Sequence, residues 1–235
     1  MRGKRKQGGF RGAVGGYGTG AAYRPQHKPE MKFKDTQITD TALAAAGAVI
    51  NAESILTLAQ DNTESGRHGR KISLQRIHLK GLIKVDVASN ASTGSVFVDS
   101  YVRLCLVVDH QANGDNSGLI PLCYETLDGT NPGFLSYRNL ANTSRFTILK
   151  EKIVKVTQDI EPNQTSGSTD NYIMFQGVRR WDMNIKCNIP IEYTGITGAI
   201  GERACNNVFL VGFTSNAAPT KVKVSAQARI RYFDY

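Results

Sequence analysis

The sequence is short of acid where it is richest in base. Residues 1–34 carry nine Lys and Arg and a single acid, Glu30, for a net charge of +8, while residues 35–235 carry 20 bases and 19 acids, for a net of +1. The chain also has no run of about 18 apolar residues, so no membrane insertion is expected. No apolar h-region follows the basic start, which argues against a secretory signal peptide. The four cysteines, Cys105, Cys123, Cys187 and Cys205, lack CxxC spacing. That excludes the usual zinc patterns and points to free thiols in a reducing compartment. His27, His68, His78 and His110 fall in no GxSxG or HExxH pattern and form no cluster on one strand. The expectation is a protein that is not an enzyme and carries no cofactor or metal.

What the chain does have begins with its first residues. Eight of the 23 glycines lie between Gly3 and Gly20, among Arg2, Lys4, Arg5, Lys6 and Arg11. Glycine loses the most backbone entropy on ordering, and little apolar area is present to offset that loss, so residues 1–34 are expected to form a disordered arm. Arg24, Lys28, Lys32 and Lys34 complete its charge. Such a segment neutralises phosphates without demanding fixed geometry, and Phe10, Tyr17 and Tyr23 add rings on which unpaired bases could stack. Nucleic-acid binding is therefore expected of Arg2, Lys4, Arg5, Lys6, Arg11, Arg24, Lys28, Lys32 and Lys34. The Lys4-Arg5-Lys6 core also suits nuclear import. GGYGTG within the arm has neither the preceding strand nor the following helix of a phosphate-binding loop.

Beyond Lys34 the dominant period is two. In RWDMNIKCNIPIEY the odd positions Trp181, Met183, Ile185, Cys187, Ile189, Ile191 and Tyr193 share a face, and in KVKVSAQARIRYFDY the even positions from Val222 to Tyr232 do so. SVFVDSYVRLCLVVD reads as a half-buried strand with Val96, Val98, Val102, Leu104, Leu106 and Val108 inside. KISLQRIHLKGLIKVDV changes parity between Leu74 and Ile77, the mark of a bulge. FTILKEKIVKV, NNVFLVGF (apolar on both faces, hence central) and TDNYIMFQG add strands. DTALAAAGAVINAESILTLAQ is read as mainly strand, and PLCYETL and YRNLAN as short helical turns. About eight strands and long polar loops predict an all-β fold, a single eight-stranded jelly-roll β-sandwich over residues 35–235.

Two further basic groups stand in this body. Arg67, Arg70 and Lys71 crowd one loop. Lys221, Lys223, Arg229 and Arg231 lie on the polar face of the last strand, where they could extend the arm's footprint on nucleic acid. Asp109-His-Gln-Ala-Asn113-Gly114-Asp115 opens like a calcium loop, but Ile120 stands at the twelfth position where a bidentate Glu is needed, so a turn is expected instead. The sequons at Asn90, Asn142 and Asn163 are of the kind that arise by chance in Asn/Ser/Thr-rich loops and, with no signal peptide expected, should stay unmodified.

Three stretches, in order, resemble the capsid proteins of small circular Rep-encoding single-stranded DNA viruses, the relatives of the circoviruses. They are Arg-x-Gly-x-Lys-Ile (Arg67 to Ile72), Asp-x-Gln-x-Asn-Gly (Asp109 to Gly114) and Asn-x-x-Arg-Phe-x-x-Leu (Asn142 to Leu149), behind a basic arm and ahead of a terminal ARIRYFDY. The resemblance implies a single jelly roll, sixty copies of which close into an icosahedral shell with the arms inside around a single-stranded DNA genome. It further implies a virion protein that visits the host nucleus during assembly and meets a host receptor whose identity the residues leave open. Two readings remain beside it. The capsid of a small RNA or satellite virus shares the arm chemistry, and a cellular Gly/Arg-rich RNA-binding protein could carry a β-sandwich.

Overall fold

The computed structural model describes residues 30–51, 54–85, 99–111, 116, 118–126, 132–157, 160–162, 172–174, 177–215 and 222–235. Almost all regular structure among them is strand. β1 (Glu30–Ala42), β3 (Lys71–Val85), β8 (Gly177–Tyr193), β9 (Arg203–Cys205) and β11 (Val222–Asp234) form one antiparallel sheet in the order β1-β11-β3-β8-β9. A second antiparallel sheet has the order β2-β10-β4-β5, from β2 (Ala48–Val49), β10 (Asn207–Thr214), β4 (Asp99–Asp109) and β5 (Phe146–Thr157). β6 (Ile160–Pro162) and β7 (Tyr172–Met174) pair with each other. The all-β expectation holds, with eleven strands among the described residues where about eight were expected.

The two sheets share one apolar cluster. Val222, Val224, Ile230 and Tyr232 of β11, Ile77 and Leu79 of β3, and Trp181, Met183 and Ile185 of β8 meet Leu104, Leu106, Val208 and Leu210 of the second sheet. The period-two reading of the last strand is thus reproduced residue by residue. The parity change in β3 is also present, as a register shift between Leu74 and Arg76 against β8. Gly81 lies opposite Ala226 and Trp181, and a Cβ there would stand 2.0 Å from the carbonyl oxygen of Ser225. A close backbone approach of this kind admits only glycine.

Several expectations are corrected. β4 is buried on both faces rather than one, because Cys105 and Val107 enter a second apolar cluster with Phe209, Val211, Phe213, Phe146, Leu119, Cys123 and Tyr124. Residues 40–60 are mostly turns and extended chain. Among the described residues there, only Asp40–Ala42 and Ala48–Val49 belong to strands, and Gly47 sits at φ 91°, a left-handed turn that breaks any longer strand. The short helical turns are found at α1 (Leu119–Cys123) and in the 3-10 turn Leu140–Asn142. The arm boundary at residue 34 also moves, since Glu30 to Lys34 belong to β1. Val87, Val96 and Val98 lie outside the described residues.

Candidate nucleic-acid interface

The outer faces of the two sheets differ. That of the second sheet is covered by the connection from Gly118 to Phe146, which supplies Leu119, Cys123, Tyr124 and Phe134 to the second cluster. Two of the three motifs named above fasten this cover. Asp109 accepts from Arg145 Nε and Nη2 at 3.0 Å each, a bidentate pair, and Asn142 donates to the Leu122 carbonyl oxygen at 3.0 Å. Asp109 also accepts from the Gln111 N–H, so the start of the supposed calcium loop is a turn.

The outer face of the first sheet is open and polar, and strand register sets its side chains in rows. One row is Phe33–Arg231–Arg76–Lys186, the next Asp35–Arg229–His78–Asn184, and the third Gln37–Gln227–Lys80–Asp182. Farther along, Leu82 pairs with Ser225 and Arg180, and Lys84 with Lys223 and Val178. In these rows the face carries eight bases: Arg76, Lys80, Lys84, Arg180, Lys186, Lys223, Arg229 and Arg231. Its acids are already occupied. Asp35 is forked by Arg229 at 2.6 Å, Asp40 meets Lys84 at 3.1 Å, and Asp182 meets Lys152 at 3.7 Å. The hydrogen-bonded Arg229 guanidinium holds the Asp35 carboxyl below its usual range and is itself raised. Arg231, Arg76 and Lys186 form a row without an acid, and none of them is ion-paired among the described residues.

Of the residues expected to bind nucleic acid, Lys223, Arg229 and Arg231 lie together on this face. Lys34 lies on β1 with its side chain half-buried. Lys32 is corrected. It is 4 % exposed, ion-pairs with Asp234 at 3.3 Å, and donates to the Gly66 carbonyl oxygen at 3.0 Å. A buried lysine so engaged is structural. Arg2, Lys4, Arg5, Lys6, Arg11, Arg24, Lys28 and Lys221 lie outside the described residues.

The basic loop is corrected in part as well. Arg67 is fully buried, donating to the carbonyl oxygens of Leu58, Gly69 and Gly195 and stacking 4.2 Å from the Tyr193 ring centroid. Burial pushes its guanidinium below its ordinary value. Sequence reasoning missed Arg76, Lys80, Lys84, Arg180 and Lys186. Each stands on the polar face of an alternating strand, but which strands are neighbours is not written in the alternation.

The remaining histidines are dispersed. His110 bridges Asn206 at 2.6 Å and Thr147 at 2.9 Å, His68 lies 3.2 Å from Lys32 Nζ, and His78 stands on the basic face. Among the described residues no three His, Cys, Asp or Glu side chains gather as metal ligands, and no helix is long and apolar enough to cross a membrane. No protein-family model matches the chain, and no curated protein matches it.

Proposed function

We propose that this chain is a viral capsid protein of jelly-roll architecture, which self-assembles into a closed icosahedral shell and packages a circular single-stranded DNA genome through its basic N-terminal arm. The observation that carries the reading is the continuity of two basic regions. The residues after the arm enter β1, an edge strand of the sheet whose outer face bears the eight bases. Polyanion gripped by the arm would meet that face next, with phosphate neutralisation supplying the affinity.

The strand pairing supports the architecture. With the three-residue strands β6, β7 and β9 set aside, eight strands remain, and they pair first with last (β1 with β11), second with seventh (β2 with β10), third with sixth (β3 with β8) and fourth with fifth (β4 with β5). A four-rung antiparallel ribbon rolled once, with β11 joined to β3 and β10 to β4, would have this pairing, which supports the jelly-roll reading. Self-association is supported by Leu135, Tyr137 and Leu140, each at least 74 % exposed within six residues of one loop. Three large apolar side chains held in water mark a contact surface, here between copies of the chain. Sixty arms of residues 1–29, each of net +7 with seven bases and no acid, would supply on the order of four hundred positive charges to the interior. The virion and, through Lys4, Arg5 and Lys6, the host nucleus are the proposed locations.

The test is electron microscopy of the expressed full-length chain, with nuclease digestion of the particles. Closed shells holding DNase-sensitive, RNase-resistant nucleic acid after opening are expected. RNA inside would transfer the reading to an RNA virus, and a protein that stays monomeric at every concentration would overturn it. Because β1 begins at Glu30, the informative truncation removes residues 1–29, which should leave shells empty. A cut at residue 34 would also remove the buried Lys32.

A further inference from the structure

The basic face is not uniform. At the end nearest Glu30, three apolar side chains abut the arginines. Met31 lies opposite Phe233, Phe33 lies opposite Arg231, and Met31 and Phe33 are 55 % and 44 % exposed. The Arg229 guanidinium stands 5.2 Å from the Phe33 ring centroid, so one part of the ring is covered and the rest faces solvent. Beside it Arg76, His78, Asn184, Arg229 and Arg231 wall a hollow of about 160 Å³. Arg76 is oriented by Asn184, whose side-chain oxygen accepts from Arg76 Nε at 2.7 Å. Its remaining N–H groups make no hydrogen bond to the described residues.

We infer that this hollow and the Phe33 ring together bind one nucleotide of a single-stranded nucleic acid, with a phosphate among Arg76, Arg231 and Arg229 and its base on Phe33. Charge complementarity selects the occupant, since three guanidinium groups converge where the only adjacent carboxylate among the described residues, Asp35, is already forked by Arg229. Arginine forks suit phosphate. Adjacent strands lie about 4.8 Å apart, so the ring on β1 and the arginines on β11 and β3 are separated by one to two strand spacings, the reach of a nucleotide from phosphate to base. A duplex keeps its base faces stacked and could offer only phosphates here. The site therefore distinguishes unpaired strands from paired ones, and it does so by ring stacking rather than by reading sequence. The inference rests on the nucleic-acid reading above and adds to it a single-strand preference located at Phe33.

The experiment uses the full chain with three probes of equal length: oligothymidylate, an abasic oligomer and a duplex. Binding is measured by fluorescence anisotropy, and ultraviolet crosslinking followed by peptide mass spectrometry locates contacts. Wild type should bind oligothymidylate more tightly than the abasic oligomer and yield a thymidine adduct on Phe33. In Phe33→Leu the adduct should vanish and the ratio of the two affinities should fall about fivefold or more, with the salt dependence unchanged. Arg231→Gln should reduce the salt slope by about one and weaken both single-stranded probes. If the probes bind but Phe33 carries no adduct and Phe33→Leu leaves the ratio intact, the nucleotide site is wrong while the nucleic-acid reading stands. An equal Phe33 adduct from the duplex would overturn the single-strand preference. If no probe binds at low salt, both fall.

Discussion

The two sheets are built from the same alternating strands, yet their outer faces have opposite fates. Outside β10 and β4, Phe209, Val211, Phe213, Cys105 and Val107 are sealed beneath the connection that ends at Phe146. Outside β11, β3 and β8 the same positions in the pleat hold Arg229, Arg231, Arg76, Lys80 and Lys186 in the open. One face is sealed into the core and the other is left polar and exposed. A strand apolar on both faces needs a cover, and the long loop between β4 and β5 provides it. A strand apolar on one face needs none, and its free face can hold like charges because water screens them.

That contrast is open to test from either side. The largest effect is expected at the cover. Phe146→Ala removes a fully buried ring and should lower unfolding free energy by about 3–5 kcal/mol in denaturant titrations, leaving oligonucleotide binding per folded molecule unchanged. Arg76→Gln on the open face should do the reverse, with stability within about 0.5 kcal/mol and weaker binding. Equal stability losses for the two would erase the distinction. Gly81→Ala forces a methyl group against the Ser225 carbonyl, and about 1–3 kcal/mol of destabilisation is expected from thermal melts.

A smaller effect concerns Asp35. Its native pKa is lowered by Arg229, so the stability it lends is complete above the ordinary carboxylate pKa and is lost as pH falls through the lowered native value. Both partners are about half exposed, which keeps this contribution slight. Asp35→Asn should therefore cost little in a melt at pH 7 and tighten oligonucleotide binding by a fewfold, since Arg229 is released. The smallest perturbation is chemical labelling. Burial pushes Cys105 up to about 11 and Cys123 up to about 12, so both remain thiols at pH 8. Iodoacetamide should reach half-exposed Cys205 first and modify Cys105 and Cys123 only in denaturant, read by peptide mass spectrometry.

How much of this was legible beforehand follows the range of the signal. Alternation is local, so the inward faces of β8 and β11 and the bulge after Leu74 could be read directly. Pairing is not local. The row Phe33–Arg231–Arg76–Lys186 draws on four strands spread over more than 150 positions, and no composition window could assemble it. Lys32 misled for another reason: lysine beside Phe33 and Lys34 reads as tail, and Asp234, brought alongside by the first-with-last pairing, together with the Gly66 carbonyl makes its burial tolerable. Arg67 misled likewise, since its three carbonyl partners come from Leu58, Gly69 and Gly195. The alanine-rich stretch failed because Gly47 and Ser54 adopt positive φ, which ordinary strand propensity does not foresee.

The Lys32–Asp234 contact has a bearing on how the domain breathes. Terminal strands ordinarily peel from their free tip, but here the tip is the clamped end, while the register slips at the opposite end between Ile38 and Thr41. Hydrogen exchange along β1 should accordingly quicken toward Ala42 and slow toward Met31. The anchorage from which the preceding residues depart would then stay put while the remainder of the strand loosens, so that a pull on them is borne first by a buried ammonium and carboxylate.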